Sequence, residues 1–198
     1  MRKFLAILIL NLSFINISQA NDIKNFQIEN ISVGDSLLDY FSKAEIKKHK
    51  FFLAQAKGNT EYTKIHLEKI KNIEMYDRLG ATFRTSDQSY TVTTVEGIIW
   101  FRDNINSCLK KRDKIIKELS SLFKSQRKND TGKRKHFVDK DSYTYDYYII
   151  FGNINNWPQD HILVSCYDWS KKTRNWDHLR VAIVRSEYSK WLEKLAGN

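Results

Sequence analysis

One proline and seven glycines in 198 residues leave no material for a Pro- or Gly-rich linker, and no low-complexity tract or fixed-period repeat breaks up the chain. Two cysteines, with no C-x-x-C or H-E-x-x-H and with histidines scattered at 49, 66, 136, 161 and 178, do not supply the closely spaced ligands of a zinc site. No apolar run beyond residue 20 approaches the roughly 20 residues that span a bilayer as a helix. A nucleophile elbow, a phosphate loop and a pair of acids at a recognisable catalytic spacing are also missing. No residue pattern implies a cofactor.

What is present begins with an address. Arg2 and Lys3 precede an apolar run from Phe4 to Ile17, interrupted by Asn11, Ser13 and Asn16, and Ser18-Gln19-Ala20 follows. A charged start, an apolar centre and a small-x-small end form a secretory signal over residues 1–20. The competing reading, a retained anchor, meets a run of about 14 residues, short for a span. Residues 21–198 then form one domain of about 178 residues, enough to bury a sizeable core. Export predicts a soluble periplasmic or secreted protein and argues against a nucleic-acid partner.

The whole chain carries a formal charge of +10, from 33 Lys and Arg against 23 Asp and Glu. Removal of Arg2 and Lys3 with the signal leaves +8. That surplus favours an acidic partner: a protein, a lipid headgroup or an anionic glycan. An AT-rich genome, which enriches Lys, Asn and Ile, is an alternative source of the same excess.

The clearest structural signal runs from Ser142 to Glu187, where SYTYDYYIIF, DHILVSCYDW and HLRVAIVRSE alternate in hydrophobicity and are separated by turn-like sequence, predicting a three-stranded antiparallel meander. Alternation places Tyr143, Tyr145, Tyr147, Ile149 and Phe151, then Ile162, Val164 and Cys166, then Leu179, Val181 and Ile183 on one apolar face. Upstream, Tyr76–Arg84 and Tyr90–Phe101 read as a hairpin with a bulge at Gly97, and Tyr62–Ile70 as a weaker strand. Ser36 with Asp39 and Ser42 with Glu45 have capping-box spacing and predict short helices at 37–41 and 43–49, burying Leu37, Leu38, Phe41 and Ile46. Phe26, Ile28, Ile31 and Val33 form an extended approach. A closing helix, Ser186–Leu195, is capped by Ser186 and carries Tyr188, Trp191, Leu192 and Leu195 on one stripe. The fold class is α+β: an antiparallel sheet, hairpin plus meander, packed on one face by helices.

Ser107–Phe123 reads as a helix with Cys108, Arg112, Ile115, Leu119 and Leu122 on one stripe. Cys108 faces with that stripe, and Cys166 lies on the strand face that needs a helix to cover it. An exported protein lives in an oxidising compartment, so the two are predicted to pair. A loop of some 57 residues closed in this way contributes roughly 4 kcal/mol in the chain-entropy model. A catalytic thiol at Cys166 assisted by His161 is excluded, because residues five apart on a strand face opposite ways.

Two stretches are candidates for function. KSQRKNDTGKRKH, 124–136, reads as a basic solvated loop, or as a patch for an acidic surface; Asp139 and Asp141 after it have only a weak cation-binding spacing. Trp169-Ser-Lys171-Lys172-Thr-Arg174-Asn-Trp176 sets three cations between two indoles at a hairpin tip, able to grip an anionic or sugar-like ligand. The alternative is that Trp169 and Trp176 pack on each other across the hairpin ends. Trp157 reads as a lid over the core.

The segments ISVGDSLLDYFS (31–42), Cys166-Tyr-Asp-Trp169 and EYSKWL (187–192) resemble a group of uncharacterised exported proteins from AT-rich marine alphaproteobacteria. The resemblance covers nearly all of the chain after the signal and implies no activity. The strand, Gly34 and helix also resemble small outer-membrane assembly lipoproteins over about twenty residues, without the lipid-bearing cysteine. A non-catalytic binding or structural envelope protein is therefore expected; the alternative is a small periplasmic hydrolase with dispersed residues such as Asp160, His161 and Tyr167.

Overall fold

The computed structural model describes residues 22–51, 60–68, 73–152 and 157–196; the predicted signal at 1–20 lies outside them. Two short 3-10 turns, Ile23–Asn25 and Leu37–Asp39, precede helix α1 (Lys43–Lys48), strands β1 (Lys50–Phe51), β2 (Tyr62–Glu68), β3 (Arg78–Arg84) and β4 (Val92–Arg102), and helix α2 (Ile105–Leu122). Strands β5 (Arg127–Lys135), β6 (Tyr143–Phe151), β7 (Asp160–Asp168) and β8 (Asp177–Val184) follow, and helix α3 (Ser186–Ala196) ends the described chain.

All eight strands belong to one antiparallel sheet in the order β1-β2-β3-β4-β8-β7-β6-β5. The expected hairpin and meander are thus not separate units. Strand β4 pairs along its length with β8, from Thr94 opposite Val184 to Trp100 opposite His178. That seam makes the last strand of the chain a central one.

The predicted apolar face is the main core. Tyr145 stands opposite Cys166 and Cys166 opposite Leu179, with Tyr147, Val164 and Val181 in the next row of this face and Ile149, Ile162 and Ile183 in the one after. Helix α2 covers this face, burying Cys108, Arg112, Ile115 and Leu119. The Asn104 side chain starts it by accepting from the Ser107 amide at 3.1 Å, which satisfies one of the first-turn donors. Cys108 and Cys166 are joined, their Cα atoms 6.0 Å apart. Arg112, the polar member of the stripe, reaches through to the sheet: its Nε donates to the Tyr145 carbonyl at 2.9 Å, and a terminal nitrogen donates to Asp130 at 2.8 Å.

The N-terminal segment completes the same layer. Ile28 and Ile31 bridge across a tight turn at Glu29 and Asn30, both at positive φ, and Ile23, Phe26, Val33, Leu37 and Ile46 are buried with them. The capping box of α1 is formed, with the Glu45 amide donating to Ser42 and the Glu45 carboxylate accepting from the Ser42 amide. Leu38, expected inside, is exposed, because the Leu37–Asp39 turn is too short to bury consecutive residues.

Three further expectations are corrected. Helices do not pack on one face alone: α3 lies on the opposite face, where Tyr188 and Trp191 close over Tyr62, Leu163, Ala182 and Val184. Its start is held from outside, the Ser186 amide donating to Asp160 at 2.7 Å. The basic stretch 124–136 is not a loop. Arg127–Lys135 pairs with β6 as an edge strand, irregular between Asp130 and Lys133 where Gly132 takes a φ of 62°. Gly97 is not a bulge; it pairs regularly with Leu79 and Val181. The absence of a side chain there admits the Tyr76 ring, which lies against the position a Cβ would occupy.

Candidate functional site

The part of its own sheet face that α3 leaves uncovered carries charged and aromatic side chains. At its centre Glu96 is buried between two cations, with Lys64 Nζ at 2.5 Å and Arg180 Nε at 2.8 Å from its two oxygens. Strand β3 supplies Gly80 between them; a Cβ at that position would come within 2.7 Å of Glu96 Cγ, so glycine is what lets the carboxylate cross β3 to reach Lys64. Burial alone would raise the Glu96 carboxyl, but Arg180 and Lys64 hold it well below the usual carboxylate range. Burial pulls the Lys64 ammonium down, opposed by Glu96. Beside them, burial lowers His66 to about 4, helped by Lys64 and Arg78.

From Arg180 a row of rings crosses the sheet. The Arg180 guanidinium donates to the Tyr167 hydroxyl at 3.3 Å, and Tyr167 stacks on His178 at 4.5 Å between centroids. His178 meets Trp100 at 5.3 Å, and Trp100 meets Trp176 at 5.9 Å. In the other direction Trp169 packs on His136 at 4.6 Å. Arg78 lies 4.7 Å over Trp100 and Arg102 lies 5.3 Å over Trp176, distances at which a cation is drawn to a ring face.

The two indoles of the predicted hairpin tip therefore do not pair with each other; each joins a different neighbour, Trp169 on His136 and Trp176 on Trp100. Lys171, Lys172 and Arg174 between them are exposed, and Lys172 pairs with Asp141 at 2.6 Å. Trp100, His136 and His178 were not legible as partners, since only the strand register brings them here. The signal that could have found them is their place at strand ends in the same alternation as Tyr167.

The β7–β8 connection is fastened to the β5–β6 connection. The Ser170 amide donates to Ser142 Oγ at 2.8 Å, and Ser170 Oγ donates to Asp139 at 2.9 Å; Ser142 Oγ donates to the same carboxylate. Those hydroxyls lower the Asp139 pKa. His136 Nδ1 accepts the amides of Val138 at 3.3 Å and Asp139 at 3.2 Å. A Ser–His–Asp relay is excluded here, because the ring nitrogen that would take a serine proton already holds two backbone donors. The Asp139–Asp141 pair is likewise engaged, and no group of three metal-ligating side chains occurs among the described residues.

The dispersed residues named for hydrolysis are apart. Asp160 holds the Ser186 amide and Arg185. His161 donates through Nδ1 to the Gln159 carbonyl at 2.8 Å, packs between Tyr148 and Trp157, and is lowered to about 4 by burial. Tyr167 lies six residues along the same strand, roughly 20 Å away at about 3.3 Å per residue. His161 and Cys166 face opposite sides, as expected. Trp157 is a lid over His161 rather than over the main core, tied to α3 by a 2.9 Å bond from its indole to Glu193. A recess of about 190 Å³ near Gly34 contains Arg84 and Arg185, each already paired, with Glu61 and Glu187 and with Asp160. No helix among the described residues is long and apolar enough to cross a membrane. Searches against protein families, curated proteins and solved structures find no match to this chain.

Proposed function

We propose that residues 1–20 export the chain and that the disulfide-linked domain acts in the periplasm or outside the cell as a non-catalytic binding or structural protein for an acidic envelope component. The supporting observation is the end of the sheet where the β5–β6 and β7–β8 connections meet. Segments 133–141 and 169–176 together carry seven Lys and Arg against two Asp. Both acids are engaged, Asp139 by two serine hydroxyls and Asp141 by Lys172. The positive charge is thus presented outward on a fastened platform with Trp169 and Trp176 beside it, which is the arrangement that attracts and orients an anionic partner.

Two measurements test this. N-terminal sequencing of the protein recovered from the cell envelope is expected to begin at Asn21. The mature chain should be retained on dextran sulfate and released by salt, and Lys171→Glu with Arg174→Glu should elute at distinctly lower salt; retention unchanged by these substitutions would place the acidic partner elsewhere.

A further inference from the structure

Phe137 and Val138, at the apex of the β5–β6 connection, are 65% and 59% exposed, and Trp176 at the adjacent connection is 50% exposed. Phe137 and Val138 side by side on this connection have no core to join, and such an exposed pair marks a surface that an apolar phase can cover, whereas the Trp176 ring is packed on Trp100 and Arg102. Lys135 and Lys140 flank this apex, Lys171, Lys172 and Arg174 lie on the connection bonded to it, and all five are exposed.

From these neighbours we infer that the apex is a membrane-docking tip: Phe137 and Val138 enter the interfacial layer of an anionic bilayer while the surrounding lysines and Arg174 meet its phosphates. This rests on the acidic-partner reading and names the partner class. Three features distinguish a bilayer from a glycan or an acidic protein. Phe137 and Val138 are more than half exposed, too open to enclose a sugar or a side chain but free to be pushed into a soft interface. Long basic side chains beside them can lay their stems along the apolar layer and keep their charges at headgroup level. The amides of Val138 and Asp139 are satisfied by His136 Nδ1 and that of Asp141 by Asp139, which reduces the number of donors the turn bares on leaving water. The bonds from Ser170 and Lys172 to the same connection hold the platform in place before contact, sparing ordering entropy.

The test is co-sedimentation of the mature chain with vesicles of phosphatidylcholine, with and without phosphatidylglycerol, alongside retention on dextran sulfate. Binding to the phosphatidylglycerol vesicles alone, weakened by salt, is expected. Phe137→Ser with Val138→Ser should lower partitioning by about tenfold or more while leaving dextran sulfate retention unchanged. Both positions are exposed, so the pair should fold, and an intact disulfide with unaltered far-UV circular dichroism checks it. Vesicle binding that ignores this double substitution overturns the apex inference. Retention on dextran sulfate without vesicle binding overturns the lipid partner and leaves the acidic-partner reading standing; loss of both overturns both.

Discussion

Acidification from pH 8 to pH 5 should destabilise this fold through its buried imidazoles. His161 and His178 are both buried, at 5% and 9% exposure, and burial lowers each to about 4 against an ordinary 6.5. Their Nδ1 atoms lie against the carbonyls of Gln159 at 2.8 Å and Trp176 at 2.9 Å, contacts that favour the charged ring and offset only part of the burial that keeps it neutral. Between pH 4 and 6.5 the unfolded chain binds more protons than the native one. Stability is therefore fully present above the unfolded value and falls as the pH drops through this window. At pH 5 an unfolded imidazole is almost wholly charged and a native one almost wholly neutral, a difference of about 2 kcal/mol per residue. The pair together amounts to about 4 kcal/mol. His66 and His136 are lowered in the same direction; Asp177, raised by its burial, works against them. Glu96, Asp87 and Asp139 are held below the ordinary carboxylate range and exchange their protons at lower pH. Urea unfolding followed by tryptophan fluorescence should show the midpoint falling by about 2–3 M between pH 8 and pH 5, His66 adding to the pair, for a slope of about 2 kcal/mol/M. His161→Gln and His178→Gln should each remove about 1 M of that fall. A midpoint that stays level, or a double variant that keeps the whole dependence, would refute the reasoning.

Three further outcomes follow from the packing. Reduction, or Cys108→Ala with Cys166→Ala, should cost about 4 kcal/mol for a crosslink spanning 58 positions, read as a lower urea midpoint in the non-reduced comparison. Glu96→Gln should cost about 3 kcal/mol by leaving Lys64 and Arg180 facing each other without their anion, and adding Lys64→Met should recover part of the loss in the same unfolding assay. Gly97→Ala should cost about 1–3 kcal/mol because the Tyr76 ring must move, and its loss should be less than additive with Tyr76→Ala, measured by a double-mutant cycle.

The meander, α2 and the sulfur bridge were legible because each rests on a period that one-sided burial imposes: two for β6 to β8, 3.6 for Cys108 to Leu119. Strand β5 was not, because an edge strand with exposed charges has no buried face to impose alternation; Arg127–Lys135 reads as solvated whether or not it pairs. Helix α3 was legible as amphipathic, but its stripe does not say which side of the sheet it covers. That was decided by Leu163, Ala182 and Val184, apolar residues on the face opposite the one the alternation singles out. For the candidate site, Trp169 to Trp176 could be singled out by composition. Its neighbours could not: Trp100 lies 76 positions before Trp176 in the sequence, and only the β4–β8 register joins them. Phe137 and Val138 gave no signal, since an exposed apolar pair and a buried one look alike until the turn is built.

The seam between β4 and β8 also bears on how the molecule comes into being. Until the chain has been synthesised through Val184, β4 and β7 each present an unpaired backbone edge, and such edges invite pairing with other chains. The half from α2 to β7 can assemble from neighbouring segments, whereas the β4–β8 contact joins residues some eighty positions apart, a slow closure in any search dominated by chain entropy. A ribosome-bound copy short of Val184 is thus an open-edged fragment, and the last strand to emerge acts as the keystone that turns two unfinished ribbons into one sheet.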